Sequence, residues 1–172
     1  METEIKLRVD GQEYEVTVDT RTTVLDALRE RLGITSPKKG CDHGQCGSCT
    51  VLLDGRRATT CLALAVAYDG SEITTAEGLG RDGELHPVQE AFVAYDALQC
   101  GYCTPGQVCS AVGVLREAAQ GWPSAVTEVG AEGGISLDHE EIAERMSGNL
   151  CRCGAYVNIV PAVAAAAEAA DR

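Results

Sequence analysis

The chain has 172 residues, 45% of them hydrophobic and only 4% aromatic, and a formal charge of −12. At about 150 residues per domain it holds one domain or two small ones. Cores built from Val, Leu, Ile and Ala with so few aromatics are small and commonly need a staple such as a metal centre. The acidic balance shows no patch that would neutralise phosphates and so excludes nucleic acid as a partner. The longest apolar stretch, Val157 to Ala167, carries Asn158 and Pro161 and is too short to span a bilayer.

Residues 4–10 and 13–18 alternate apolar and polar, with Ile5, Leu7 and Val9, then Tyr14, Val16 and Val18, on one face. Asp10-Gly11 between them is a two-residue hairpin turn. A helix follows, capped by Thr22 or Thr23, with Val24, Leu25, Leu28 and Leu32 as its apolar face and Gly33 as its stop. A hairpin followed by a crossing helix begins a β-grasp fold. Residues 36–49 read as a Gly-rich loop. A second hairpin runs from Thr50 to Leu53, turns at Asp54-Gly55 and returns over Arg57 to Thr60. Cys61 starts an apolar run to Val66, and Glu72 to Thr75 supplies a last strand.

The aperiodic stretch from Ala76 to Glu84 reads as a linker, giving domains at 1–76 and 86–172 joined by 77–85. From His86 the period becomes helical. Pro87 opens a helix with Val88, Ala91, Phe92, Tyr95 and Leu98 along one side. Thr104 is expected to cap a second, with Pro105 at its first position and Gln107 completing a capping box; Val108, Ala111, Val112, Leu115 and Ala119 form its face and Gly121 closes it. Trp122 to Ser136 reads as a surface excursion. A third helix starts at Asp138 with Glu141 as its capping-box partner and carries Ile142 and Met146. The last is expected over Ile159 to Ala170, capped by Asn158 with Pro161 in the first turn. These make a small four-helix bundle. The fold class is therefore α+β.

Nine cysteines in a chain whose first residues, Met1 to Lys6, have neither a basic nor an apolar leader region argue for reduced thiols and metal rather than disulfides. The expected location is the cytoplasm, or the periplasm if a twin-arginine leader has been removed. Cys41, Cys46, Cys49 and Cys61 reproduce the plant-type [2Fe–2S] spacing. Gly40, Gly44 and Gly47 let the loop pass close to sulfides and aim its N–H groups at them. Cys100 and Cys103, with Cys151 and Cys153, form a second set of four. Its turn leads into a helix N-terminus, which favours thiolate. A structural zinc site is the alternative at both positions.

With those residues in place, the chain resembles the iron–sulfur subunit of the molybdenum hydroxylases, the xanthine dehydrogenase and aldehyde oxidase family. The resemblance runs through residues 40–49 (GCDHGQCGSC), 99–107 (QCGYCTPGQ) and 148–153 (GNLCRC). It implies a plant-ferredoxin-like [2Fe–2S] domain followed by a helical [2Fe–2S] domain. It also implies a large molybdopterin-binding partner subunit and a medium FAD-binding one. Gln99 then matches a position that hydrogen-bonds the pterin, and Cys153 a ligand that touches its amino group. Electrons would run from molybdenum through the second-domain and first-domain clusters to FAD, with aldehydes, xanthine or other N-heterocycles as substrates. Gly154-Ala155-Tyr156 stands where many members have Thr-Gly-Tyr. Together with the long segment from Gln120 to Ser136, this resembles the bacterial aldehyde-oxidising branch.

The remaining polar residues read as structural. Cys109 points away from Cys103 as a small buried hydrophobe. His43 is a loop residue, and His86 and His139 lie at the surface. Glu140, Glu141 and Glu144 form a solvated helix face, and Arg152 contacts either cluster charge or the partner. The chain shows no nucleophile–base pair, P-loop or dinucleotide fingerprint, so its task is electron conduction. The rival readings are a free ferredoxin and a zinc-stabilised interaction module.

Overall fold

A computed structural model describes residues 1–81, 83–128 and 134–170. Strands β1 (Glu2–Val9) and β2 (Gln12–Asp19) pair antiparallel in full register. Asp10 and Gly11 both take positive φ (52° and 81°), the geometry of the turn that matches strand twist. Asp54 and Gly55 do the same (47° and 80°) between β3 (Thr50–Leu53) and β4 (Arg56–Thr59). With β5 (Glu72–Thr74) the strand order is β2-β1-β5-β3-β4; β5 runs parallel to β1 and antiparallel to β3.

Ile5, Leu7, Val9, Val16 and Val18 are buried under α1 (Val24–Asp26), which continues as a π-helical turn over Ala27–Arg31. Thr23 caps it, its Oγ1 accepting from Asp26 N at 3.1 Å, and Gly33 ends it at φ 71°. Thr23→Ala removes this acceptor and is expected to cost about 1 kcal/mol, read as a lower urea midpoint with an unchanged m-value.

β3 is buried along its whole length because its two faces serve different cores. Val51 and Leu53 join the sheet core, and Leu52 on the opposite face joins the helical core. That second core is built by α2 (Pro87–Ala94), α3 (Thr104–Ala119), α4 (His139–Met146) and α5 (Tyr156–Ala170), centred on Phe92, Val112, Ile142, Ile159 and Val163. The 77–85 stretch contributes to it as well: Glu77–Leu79 forms a 3₁₀ turn and Leu79 is buried against the helices.

Several local expectations change. α2 stops at Ala94, so Tyr95 and Leu98 lie exposed outside it. His86 is its cap rather than a plain surface residue: Nδ1 accepts from Val88 N, and Gln89 Oε1 accepts from His86 N. α3 begins with Thr104 inside it and Cys103 as cap, without a side-chain cap bond. Gln107 is turned inward, donating from Nε2 to Asn149 O at 2.7 Å instead of closing a capping box. α3 ends as expected, with Gly121 at φ 73° and Trp122 N donating to Glu117 O. α5 starts at Tyr156, which leaves Pro161 inside the helix, and Asn158 Nδ2 reaches Asp96 O.

The largest correction concerns Glu141. Asp138 caps α4 by accepting from Glu141 N, but the Glu141 side chain is only 5% exposed. It accepts from Thr127 Oγ1 and from Arg145 Nε, each at 2.7 Å. Arg145 also donates to Trp122 O, and its guanidinium lies 3.7 Å from Glu117, which is held in a fork by Arg57 of β4 at 2.8 and 2.9 Å. Burial by itself would raise the Glu141 carboxyl, but the bonds from Thr127, Ser124 and Arg145 outweigh it and hold the group low. A depressed folded-state value means stability that is present above the unfolded-state carboxylate range and lost as pH falls through the folded-state value. Glu141→Gln is therefore expected to melt lower than the parent at neutral pH. The gap should close as acid protonates the parent's Glu141, followed by circular dichroism at stepped pH.

Candidate metal centres

The loop carrying the first three cysteines bends so that its amides face sulfur. Cys41 Sγ receives N–H groups from His43, Gln45 and Cys46 at 3.5, 3.2 and 3.4 Å, and Cys61 Sγ receives Gly44 N at 3.3 Å. Those bonds, led by that of His43, bring the Cys41 thiol down to about 6 against the opposing effect of burial. Cys61 is different. Burial, then its hydrogen bond with Cys49, pushes it up to about 12. A buried thiol of this kind gives up its proton only to a strong positive centre, as metal ligation provides.

The glycines explain how the loop packs. A Cβ on Gly40 would lie 2.8 Å from Cys46 Sγ, and one on Gly44, at φ 77°, would lie 2.4 Å from Leu62 Cδ1. His43 is exposed and its ring turns back to Cys41 O, as a loop residue does. Cys49 and Cys61 are packed together with Leu25 of α1.

The second set lies where α3 and α5 begin. Cys103 is half-buried and Cys151 buried, while Cys100 and Cys153 are exposed. Cys103 hydrogen-bonds Cys151, and burial followed by that contact pushes it up to about 11, with Gln107 pulling the other way. The helix N-terminus therefore does not prevail at Cys103; burial does. Burial also acts to raise Cys151, but backbone N–H groups, led by Ala155 at 3.4 Å, outweigh it and lower the thiol. Cys109 is fully buried in the helical core, where burial pushes it up to about 12. Among the described residues no three Cys, His, Asp or Glu side chains close on a single-ion centre. Four thiolates around a multi-atom cluster stand farther apart than those around one ion.

Gln99, Arg152 and Cys153 are all exposed. Near them in sequence stand Tyr102, Leu150, Tyr156 and Val157, large side chains from 43% to 78% exposed. Leu62 and Leu64, beside Cys61, form a separate exposed pair.

The two cysteine loops also touch. Leu150 N donates to Cys46 O at 2.9 Å, and Tyr102 Oη donates to Lys39 O at 2.9 Å. Asn149 is buried between them. Sequence reasoning missed the roles of Asn149, Gly106 and Arg57, because nothing local marks a residue whose partners lie from 43 to 102 positions away.

The description "2Fe-2S iron-sulfur cluster binding domain" matches residues 7–73, and "[2Fe-2S] binding domain" matches residues 75–164. The chain is 57% identical over 163 residues to the aldehyde oxidoreductase iron–sulfur-binding subunit PaoA of Escherichia coli O157:H7, covering 95% of this chain and 71% of that one. It belongs to the iron–sulfur small-subunit family of the molybdenum hydroxylases. Another relative, the nicotine 6-hydroxylase small subunit of Paenarthrobacter nicotinovorans, is 44% identical over 160 residues, covering 93% of this chain and 87% of its own. A chain of quinoline 2-oxidoreductase from Pseudomonas putida 86 superposes with a TM-score of 0.82 at 39% identity, covering 99% of this chain and 97% of that one. As a family member the chain is an oxidoreductase subunit with two [2Fe–2S]-binding domains, homologous to small subunits of multi-subunit complexes. The ferredoxin-like and helical parts stand in the expected order.

Proposed function

We propose that Cys41, Cys46, Cys49 and Cys61 hold one [2Fe–2S] cluster and that Cys100, Cys103, Cys151 and Cys153 hold the other. The observation that carries this is the set of four backbone N–H groups aimed at Cys41 and Cys61 Sγ in the first set, with Ala155 N aimed at Cys151 Sγ in the second. Such donors suit sulfur that stays negatively charged as an electron is added. When bound, each cluster supplies one-electron redox capacity between a molybdenum cofactor and FAD held by partner subunits.

Domains at 1–76 and 86–172 joined by 77–85 are the division we propose; the two hydrophobic cores support two units, while Leu79 of the joining stretch packs with the helical one. The exposed face of Gln99, Tyr102, Leu150, Cys153, Tyr156 and Val157 is assigned to the molybdopterin-binding subunit, with Gln99 and Cys153 against the pterin. Leu62 and Leu64 are assigned to the FAD-binding subunit. Similarity to PaoA favours an aldehyde as the substrate of the complex. Reduced thiols suit the cytoplasm, and among the described residues no helix is long and apolar enough to cross a membrane.

Low-temperature EPR of the dithionite-reduced protein, quantified against iron and acid-labile sulfide, tests the cluster assignment. Two distinct signals are expected. One signal, or zinc in place of iron, overturns it. Expression with the genes of the two larger subunits and gel filtration separates a complex from a freely diffusing ferredoxin.

A further inference from the structure

The two cysteine loops meet along a closely packed seam, and one buried side chain occupies its centre. Asn149, 5% exposed and two residues before Cys151, donates from Nδ2 to Gly47 O at 3.0 Å and to Gly106 O at 3.2 Å, with Thr50 Oγ1 at 3.4 Å. Gly47 sits between Cys46 and Cys49, and Gly106 is three residues past Cys103. A single carboxamide thus touches backbone from both cysteine sets while belonging to the strand of chain that carries Cys151. Its own carbonyl is held by Gln107 Nε2 at 2.7 Å, and the next residue, Leu150, donates its N–H to Cys46 O at 2.9 Å.

Contact here is as close as backbone permits. A Cβ on Gly47 would lie 2.4 Å from Gly148 O, and one on Gly106 would lie 2.5 Å from Gly47 O. Two carbonyl oxygens, Gly47 O and Gly106 O, converge on the same spot, and a donor between them converts repulsion into attraction.

We propose that Asn149 is a positioning residue that fixes the contact between the two cysteine loops and thereby the electronic communication between the groups they hold. This rests on the cluster assignment above. Arg57, which forks onto Glu117 and also bonds Ser110 Oγ and Arg145 O, joins the same two domains farther from the cysteines. It holds the domains together without touching the seam.

The test uses the full chain with both clusters assembled. EPR signals are recorded with one and then both clusters reduced, and the splitting or relaxation enhancement that each imposes on the other is measured. In Asn149→Ala, both signals are expected to keep their g-values and integrated intensities while their mutual interaction is diminished or lost. Arg57→Gln is expected to lower the melting temperature yet preserve the interaction. If Asn149→Ala fails to load both sites, Asn149→Ser, which keeps one donor in less volume, is read in the same way. An interaction unchanged in the Asn149 variants, or lost equally in Arg57→Gln, overturns the proposal. A parent protein with two signals and no interaction overturns it as well, whereas a parent with a single signal overturns the cluster assignment beneath it.

Discussion

Cys46→Ala and Cys103→Ala are each expected to remove one of two EPR signals and leave the other intact. Independent loss follows from the packing. Cys46 lies in the loop beside the sheet core, and Cys103 opens α3 against the helical core, so each site is supported by its own set of buried side chains. The contact that Cys46 itself makes across to the other loop is through its backbone, Leu150 N to Cys46 O, and survives truncation of the Cys46 side chain. Without one ligand the metal centre is held less firmly, and the buried thiols lose part of the positive charge that offsets their desolvation. Cys61, which burial and its hydrogen bond with Cys49 push up, depends most on that positive centre to give up its proton. Cys109→Ala is the control. It should keep both signals, because Cys109 is packed in the helical core away from either set. Iron and sulfide should fall by about half in each ligand variant, in proportion to the ligand sets removed, and be unchanged in Cys109→Ala. Loss of both signals from Cys46→Ala would mean that the two sites assemble as one unit.

What local chemistry controls was legible before any coordinates. Asp-Gly at 10–11 and 54–55 demands positive φ at both residues, and the chain turns there. The spacing of Ile5, Leu7, Val9, Val16 and Val18 has a period of two, and all five are buried. Gly40 was readable because its close approach to Cys46 sulfur excludes a side chain, whereas Gly44 and Gly47 are required against Leu62 and Gly148 O. What depends on distant partners was not readable. Glu141 has the sequence context of an exposed capping-box residue, and only Thr127 and Arg145 make it a buried anion. Gln107 sits where a cap would use it, but Asn149 O offers a buried acceptor. Leu52 looks like any strand residue until α3 covers the second face of β3. Each misreading is a local preference outweighed by a buried contact, within the helical part for Glu141 and Gln107 and across to it for Leu52.

Gly106→Ala is expected to destabilise the protein by about 2 kcal/mol or more, although the same change in an ordinary helix stabilises. Gly106 lies in the first turn of α3, where Ala is favoured over Gly by about 1 kcal/mol. Against that stands the space. The added methyl would lie 2.5 Å from Gly47 O and 3.0 Å from Ser48 O, both backbone atoms of the first cysteine loop. That loop is tied by its own amides to Cys41 and Cys61, so it has no inexpensive direction in which to move. Overpacking of a rigid site costs about 1–3 kcal/mol and lies at the upper end when backbone must shift. Separating the loops also stretches the Asn149 bonds to Gly47 O and Gly106 O, which adds to the loss. For a chain of this length the melting temperature should fall by roughly 4–8 °C. Gly148→Ala provides the contrast on the far side of the same seam. Its added methyl meets nothing within 4 Å, and the change should stay within about 0.5 kcal/mol. If Gly106→Ala instead melts at or above the parent temperature, helix propensity has prevailed and the two loops are not in fixed contact. A fall confined to Gly106→Ala locates the strain at the junction of the two cysteine loops.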